Sequence, residues 1–165
     1  MIRFLVMDVD GTLTDGKIYM SDNGELIKAF DVKDGYAIRH MLPELNILPV
    51  IITGRQSQIV KNRCRELGIS LLRQAVKDKY AELCALLSEY SQKDGCNYSL
   101  ANVAFIGDDI PDKECMDRII EAGGLTACPA DAVAQVKAVS SLVTTRVGGD
   151  GAVREFVEFI ASKVD

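Results

Sequence analysis

Histidine is scarce in this chain: His40 is the single one in 165 residues. It falls within an expected helix, where a structural role outweighs a catalytic one, so a serine- or cysteine-histidine hydrolase is disfavoured. Cysteine occurs at 64, 84, 96, 115 and 128, and no two of these form a Cys-x-x-Cys pair. Neither a zinc site nor a disulfide framework is expected. Reduced, mostly buried thiols in a cytoplasmic protein are the plain reading. Nowhere does the chain approach the ~18 consecutive apolar residues of a membrane span. The run Met1–Met7 is broken by Arg3 and stopped by Asp8, too short for a secretory signal. A basic excess is also missing. The formal charge is −5, whereas a protein built to coat nucleic acid needs a clear positive balance. No internal repeat, low-complexity tract or linker interrupts the sequence, so a single domain over residues 1–165 is expected.

What is present is an alternation of short apolar runs with helix-like segments. Ile2–Met7, Ile47–Thr53, Val103–Ile106, Leu125–Cys128 and Ser141–Thr144 read as buried strands. Asp34–Leu42, Ser57–Leu67, Lys77–Tyr90, Pro111–Ala122, Asp131–Ala138 and Gly151–Lys163 read as helices. This spacing predicts an α/β fold, a mostly parallel sheet with helices on both faces. One segment departs from the pattern. Lys17–Phe30 holds two extended runs joined by Ser21-Asp22-Asn23-Gly24, and Asn-Gly predicts a two-residue hairpin turn with positive φ at both positions. The hairpin lies between the first strand and first helix, and carries Ile18, Tyr19, Met20, Leu26, Ile27 and Phe30. That is too much apolar surface for a hairpin alone in water, and a neighbouring subunit is expected to cover it.

Three apolar runs end in polar groups where an open parallel sheet gathers its ligands. Phe4–Met7 leads to Asp8 and Asp10, and Leu48–Ile52 leads to Thr53-Gly54-Arg55. Val103–Ile106 leads to Gly107-Asp108-Asp109, with Asp112 one turn later. On extended backbone Asp8 and Asp10 project to the same side, and crowding them is costly without a cation or a shared proton. Lys79 opens an expected helix. Carboxylates, a threonine beside glycine and a lysine suit Mg²⁺ together with a phosphate. Asp8 can act as nucleophile through an aspartyl-phosphate, while Asp10, kept protonated by nearby acids, serves the leaving alcohol. Thr53, the backbone at Gly54 and Lys79 can hold phosphoryl oxygens. Arg55 and Arg63 are candidates for gripping a substrate carboxylate. Gly148-Gly149-Asp150-Gly151 is either a flexible turn or a set of amides facing an anion.

In this order Asp8-Val9-Asp10-Gly11-Thr12, Thr53-Gly54-Arg55, Lys79 and Gly107-Asp108-Asp109-x-x-Asp112 resemble the haloacid dehalogenase-like (HAD-like) phosphatases. With FDVKDG, CPADA and GGDGAVREF added, the resemblance spans the chain. It points to the small capless branch acting on 3-deoxy-2-ulosonic acid phosphates, with a protruding hairpin in place of a cap domain. The resemblance implies Asp8 as nucleophile and Asp10 as acid/base. It implies a Mg²⁺ site from Asp8, the Asp10 carbonyl and Asp108, with Asp109 on the acidic loop, and Thr53 and Lys79 on the phosphoryl group. It further implies a homotetramer in which hairpin 17–30 roofs a neighbour's site. Thr53-Gly54-Arg55 looks most like the octulosonate 8-phosphate subgroup; a nonulosonate 9-phosphate phosphatase is the alternative within the branch. Outside it stand a non-catalytic tetramerising module, like the domain fused to some acylneuraminate cytidylyltransferases, and a phosphate-accepting signalling receiver. The receiver is disfavoured because the second acidic pair follows Thr53 and Lys79.

Overall fold

The computed structural model describes residues 1–163. Six parallel strands form one sheet in the order β5-β4-β1-β6-β7-β8. These are β1 (Phe4–Met7), β4 (Leu48–Ile52), β5 (Leu71–Arg73), β6 (Val103–Ile106), β7 (Leu125–Cys128) and β8 (Leu142–Val143). The chain leaves β1 towards β4 and β5, then returns to lay β6 on the other side of β1. The strand order therefore reverses beside β1, where an open α/β sheet has its binding crevice.

Alternation along the strands sends successive side chains to opposite faces. Leu5 and Met7 join Val60, Cys64 and Leu67 of α3 (Gln58–Leu67) and Phe156, Val157 and Ile160 of α7 (Ala152–Ala161). Phe4 and Val6 join Leu83, Leu86 and Tyr90 of α4 (Lys79–Asp94) and Cys115, Met116 and Ile119 of α5 (Ile110–Glu121). The short α6 (Ala134–Lys137) adds Val136 to this second face. The central strands β4, β1, β6 and β7 are covered on both sides, as the continuous apolar runs require. The expected α/β architecture holds.

Several expectations are corrected. Strand β5 was not anticipated: three residues paired to β4 at the sheet edge leave no periodic signature. The first helical region is not uniform. It runs as α1 (Val32–Tyr36), a π-helical turn over Ala37–Met41, and a single turn α2 (Leu42–Glu44). The hairpin pairs β2 (Tyr19–Ser21) with β3 (Gly24–Ile27), and Ser21 faces Gly24 across the turn. Its loop residues are thus Asp22 and Asn23, and the positive φ of +105° falls on Gly24, not on Asn23.

Two tertiary contacts secure the region around the sheet's carboxyl edge. Gly151, at the start of α7, supplies no side-chain cap. Asp34 substitutes for it from α1: its Oδ1 accepts the Arg154 amide at 2.8 Å. The other oxygen of Asp34 is buried without a hydrogen-bond partner among the described residues. The second contact joins residues 148–149 to the loop after β1. The Gly149 amide donates to the Thr12 carbonyl at 3.0 Å, and a Cβ on Gly148 would lie 2.0 Å from the Gly11 carbonyl oxygen. The Gly148 amide donates to Asp131 at 3.0 Å. Between the two readings of Gly148–Gly151, packing accounts for the glycines at 148 and 149.

Candidate active site

Beyond Met7 the chain does not stay extended. The amides of Thr12, Leu13 and Thr14 all reach the Val9 carbonyl, at 3.2, 2.9 and 3.1 Å, and curl the loop tightly. Asp8 and Asp10 consequently occupy different surroundings, although both line the same cavity of about 440 Å³. Thr53, Gly54, Arg55, Lys79, Asp108, Asp109 and Asp112 line it too. Residues spread over a hundred positions meet at the reversal point of the sheet.

Asp8 lies at the buried floor, between β1 and the start of α4. Lys79, in the first turn of α4, donates to Asp8 at 2.8 Å and to Asp112 at 2.6 Å. Asp112, which is 1% exposed, organises the opposite wall. Its Oδ2 accepts the amides of Asp108 and Asp109 at 3.1 and 3.3 Å, completing the cap of α5. Gly107 is required there, because a Cβ would fall 2.4 Å from the Asp112 carboxyl carbon. Asp108 accepts from the Thr12 hydroxyl at 3.3 Å. Gly11, at φ +94°, lets the first loop pass over it: a Cβ would sit 2.0 Å from the Asp108 Oδ2.

The electrostatics follow from this crowding. Burial first, and then the Asp112 charge, push the Asp8 carboxyl up to about 6 although Lys79 pulls it down. Asp108 is pushed up to about 7 by burial, then by Asp8 and Asp112. Burial works against the Lys79 charge, but Asp8 and Asp112 outweigh it and hold the ammonium above the usual lysine range. One oxygen from each of Asp8, Asp108 and Asp112 lies within 4.8 Å of the others. Lys79 is the one cation in ion-pair contact with this group among the described residues. Three carboxylates against one ammonium leave an excess of negative charge on a hard-oxygen donor set, which fits a small divalent cation. Asp112 has both oxygens engaged, so Asp8 and Asp108 are the members with donor capacity to spare.

Other expected residues fall elsewhere. Asp109 is exposed at the rim, and its carboxylate accepts the Ile110 amide as the cap of α5. Geometry groups Asp112, rather than Asp109, with Asp8 and Asp108. Asp10 does not lie against the other acids: it forms a close ion pair with Lys28 and has Arg55 Nε at 3.8 Å. The expectation that neighbouring carboxylates keep it protonated has no basis in these contacts. Arg63 does not line the cavity. Its guanidinium bonds Glu66 at 2.9 Å and lies 5.6 Å over the Phe30 ring, next to Gly35. His40 packs against Tyr36 and is not among the cavity residues. Lys28 was not anticipated; a lysine after a hairpin strand carries no spacing signal in the sequence.

Comparison with known proteins agrees with the geometry. No family model matches. The chain is 42% identical over 159 residues to a 3-deoxy-D-manno-octulosonate 8-phosphate phosphatase of Salmonella typhi, covering 96% of this chain and 79% of that protein. The Yersinia pestis protein of the same name is 40% identical with the same coverage. Among solved structures, a probable phosphatase from Pseudomonas syringae is 38% identical with a TM-score of 0.88, covering 98% of this chain and 85% of that one. The Moraxella catarrhalis 3-deoxy-D-manno-octulosonate 8-phosphate phosphatase was solved with magnesium, phosphate and its sugar acid. It is 39% identical with a TM-score of 0.85, covering 98% of this chain and 86% of that one. With its cavity at the sheet's reversal point and its likeness running nearly end to end, the chain belongs to the 3-deoxy-D-manno-octulosonate 8-phosphate phosphatases, enzymes of the HAD-like superfamily.

Proposed function

We propose that this chain is a Mg²⁺-dependent phosphomonoesterase acting on a 3-deoxy-2-ulosonic acid phosphate, with the octulosonate 8-phosphate as favoured substrate. The observation that carries this reading is the meeting of Asp8, Lys79, Asp108 and Asp112 in one cavity of a chain so similar to such phosphatases. Asp8 and Asp108, with the Asp10 carbonyl, would hold the ion; when bound, it offsets repulsion between an anionic nucleophile and a phosphate dianion.

The remaining chemistry belongs to the side chains. An Asp8 oxygen attacks phosphorus, and the ester P–O bond breaks with its electron pair going to the sugar oxygen. A proton from Asp10 completes the departing alcohol. Water then attacks the aspartyl-phosphate and gives its proton to Asp10. The bond from phosphorus to Asp8 breaks, restoring the carboxylate and releasing phosphate. Lys79 holds Asp8 in line and, with Thr53 and the Gly54 amide, holds phosphoryl oxygens. Arg55 is half-exposed at the cavity wall. In this reading it meets the substrate carboxylate with two parallel hydrogen bonds. Arg63, lying outside the cavity, takes no part.

The reading includes a homotetramer in the cytoplasm, one domain per chain, with the hairpin at a subunit boundary. Supporting it, Met20, Leu26 and Ile27 on the hairpin are each more than half exposed, as are Val32 and Tyr36 of α1. No helix among the described residues is long and apolar enough to cross a membrane. The test is a set of initial rates on eight- and nine-carbon ulosonate phosphates, with and without Mg²⁺, for the native protein and Asp8→Asn. Turnover of the eight-carbon substrate that requires the metal and vanishes in Asp8→Asn is expected. Preference for a nine-carbon substrate moves the assignment to the nonulosonate enzyme, and near-normal hydrolysis by Asp8→Asn refutes the nucleophile. A monomer by light scattering removes the shared roof.

A further inference from the structure

Lys28 follows the second hairpin strand, yet its side chain is only 2% exposed. It is not among the residues lining the cavity. Such burial of an ammonium is unfavourable unless carboxylates surround it, and two do. Glu25 lies on the same hairpin, 2.9 Å away, and Asp10 lies 18 positions earlier in a close ion pair through Oδ1. Glu25 in turn accepts from the Ser57 hydroxyl at the start of α3. The Asp10 Oδ2 is left on the side of Arg55, which lines the cavity. Glu25 and Ser57 tie the hairpin to α3, and Lys28 alone of the three reaches the carboxyl group of Asp10.

We infer that Lys28 is a positioning residue for Asp10, pinning one carboxyl oxygen so that the other faces the departing sugar oxygen. This rests on the acid/base reading of Asp10. The arrangement also sets Glu25 against Lys28, and Arg55 beside Asp10. Lys28 touches no reacting atom and works only through Asp10.

The consequence is selective. The ratio kcat/KM counts steps up to release of the alcohol, so it isolates the step at which Asp10 donates. A sugar-acid phosphate has an alkyl leaving group that needs a proton, whereas p-nitrophenyl phosphate expels a stable anion without one. Lys28→Met is expected to lower kcat/KM for the sugar-acid phosphate about 100-fold, the scale of a misplaced general acid, and to leave p-nitrophenyl phosphate within about threefold. Lys28→Arg should recover most of the lost rate. Glu25→Gln loosens the hairpin but keeps the Lys28–Asp10 pair, and should affect both substrates alike. Equal losses on both substrates in Lys28→Met, or no loss on either, overturn the inference; so does the same selectivity in Glu25→Gln. Asp10→Asn separates the two levels. If it shows no selectivity, the acid reading of Asp10 fails; if it does while Lys28→Met does not, only the role of Lys28 fails.

Discussion

Replacing Asp34 by asparagine tests how the start of α7 is held, and the size of the effect follows from the burial of one carboxyl group. Asp34 is 1% exposed, with one oxygen on the Arg154 amide and the other unpaired. Burial raises its pKa from 3.8 to about 6, with Asp31 adding to the rise while the helix amides and Lys33 oppose it. Between about pH 4 and 6 the folded chain keeps a proton here that the unfolded chain has released. The unfolded state binds fewer protons, so stability falls as pH rises through that window and the loss is complete above it. A shift of this size corresponds to about 3 kcal/mol. Asparagine keeps the acceptor for Arg154 and cannot ionise. The stability difference between Asp34→Asn and the native protein should therefore grow in favour of the variant by about 2–3 kcal/mol from pH 4 to 7. Urea midpoints of both proteins across that range measure it, since the contributions of Asp8 and Asp108 cancel in the difference. At a slope of about 1–3 kcal/mol per molar urea, the midpoints should separate by about a molar or more. A difference that stays constant with pH refutes the reasoning.

Three further outcomes follow from close contacts. Gly11→Ala places a methyl against the Asp108 Oδ2 at a positive φ. It should cost about 1–2 kcal/mol in backbone strain and lower kcat/KM about 100-fold by displacing Asp108, read by steady-state kinetics. Gly148→Ala drives a methyl into the Gly11 carbonyl; overpacking of about 1–3 kcal/mol should lower Tm by roughly 2–10 °C, read by calorimetry. Asp112→Asn weakens the contact that links Lys79 to the Asp108 loop. It should cost about 1.5–3 kcal/mol, the range for a hydrogen bond to a charged group, in urea unfolding.

The sheet was legible because buried parallel strands write themselves as apolar runs ending in polar groups. Three of those endings, at Asp8, Thr53 and Asp108, line the cavity. What escaped was set by neighbours distant in sequence. Strand β5 depends on pairing with β4, and no pattern within Leu71–Arg73 announces it. The surroundings of Asp10 depend on a tight loop and on a hairpin folding back over it, so alternation after Met7 placed it with the wrong partners. Asp112 shows in sequence only as an acid one turn beyond Asp109; the approach of Lys79 from another helix makes it the centre of the wall. Arg63 is a candidate in sequence because arginine suits a substrate carboxylate; its contacts with Phe30 and Glu66, away from the cavity lining, depend on the fold. The role of Asp34 as a cap for a helix 120 positions away is invisible without coordinates.

The clasp between Gly148–Gly149 and the first loop bears on the order in which this enzyme can mature. Chains emerge from the ribosome amino end first, so the loop after Asp8 is made long before its buttress. A nascent chain stopped short of residue 148 contains Asp8, Thr53, Lys79 and Asp108 but lacks the backbone that packs on Gly11 beside Asp108. On this reasoning the site is completed only once residues 148–149 have been made and have docked, and products truncated before them should be inert even where their sheet has formed.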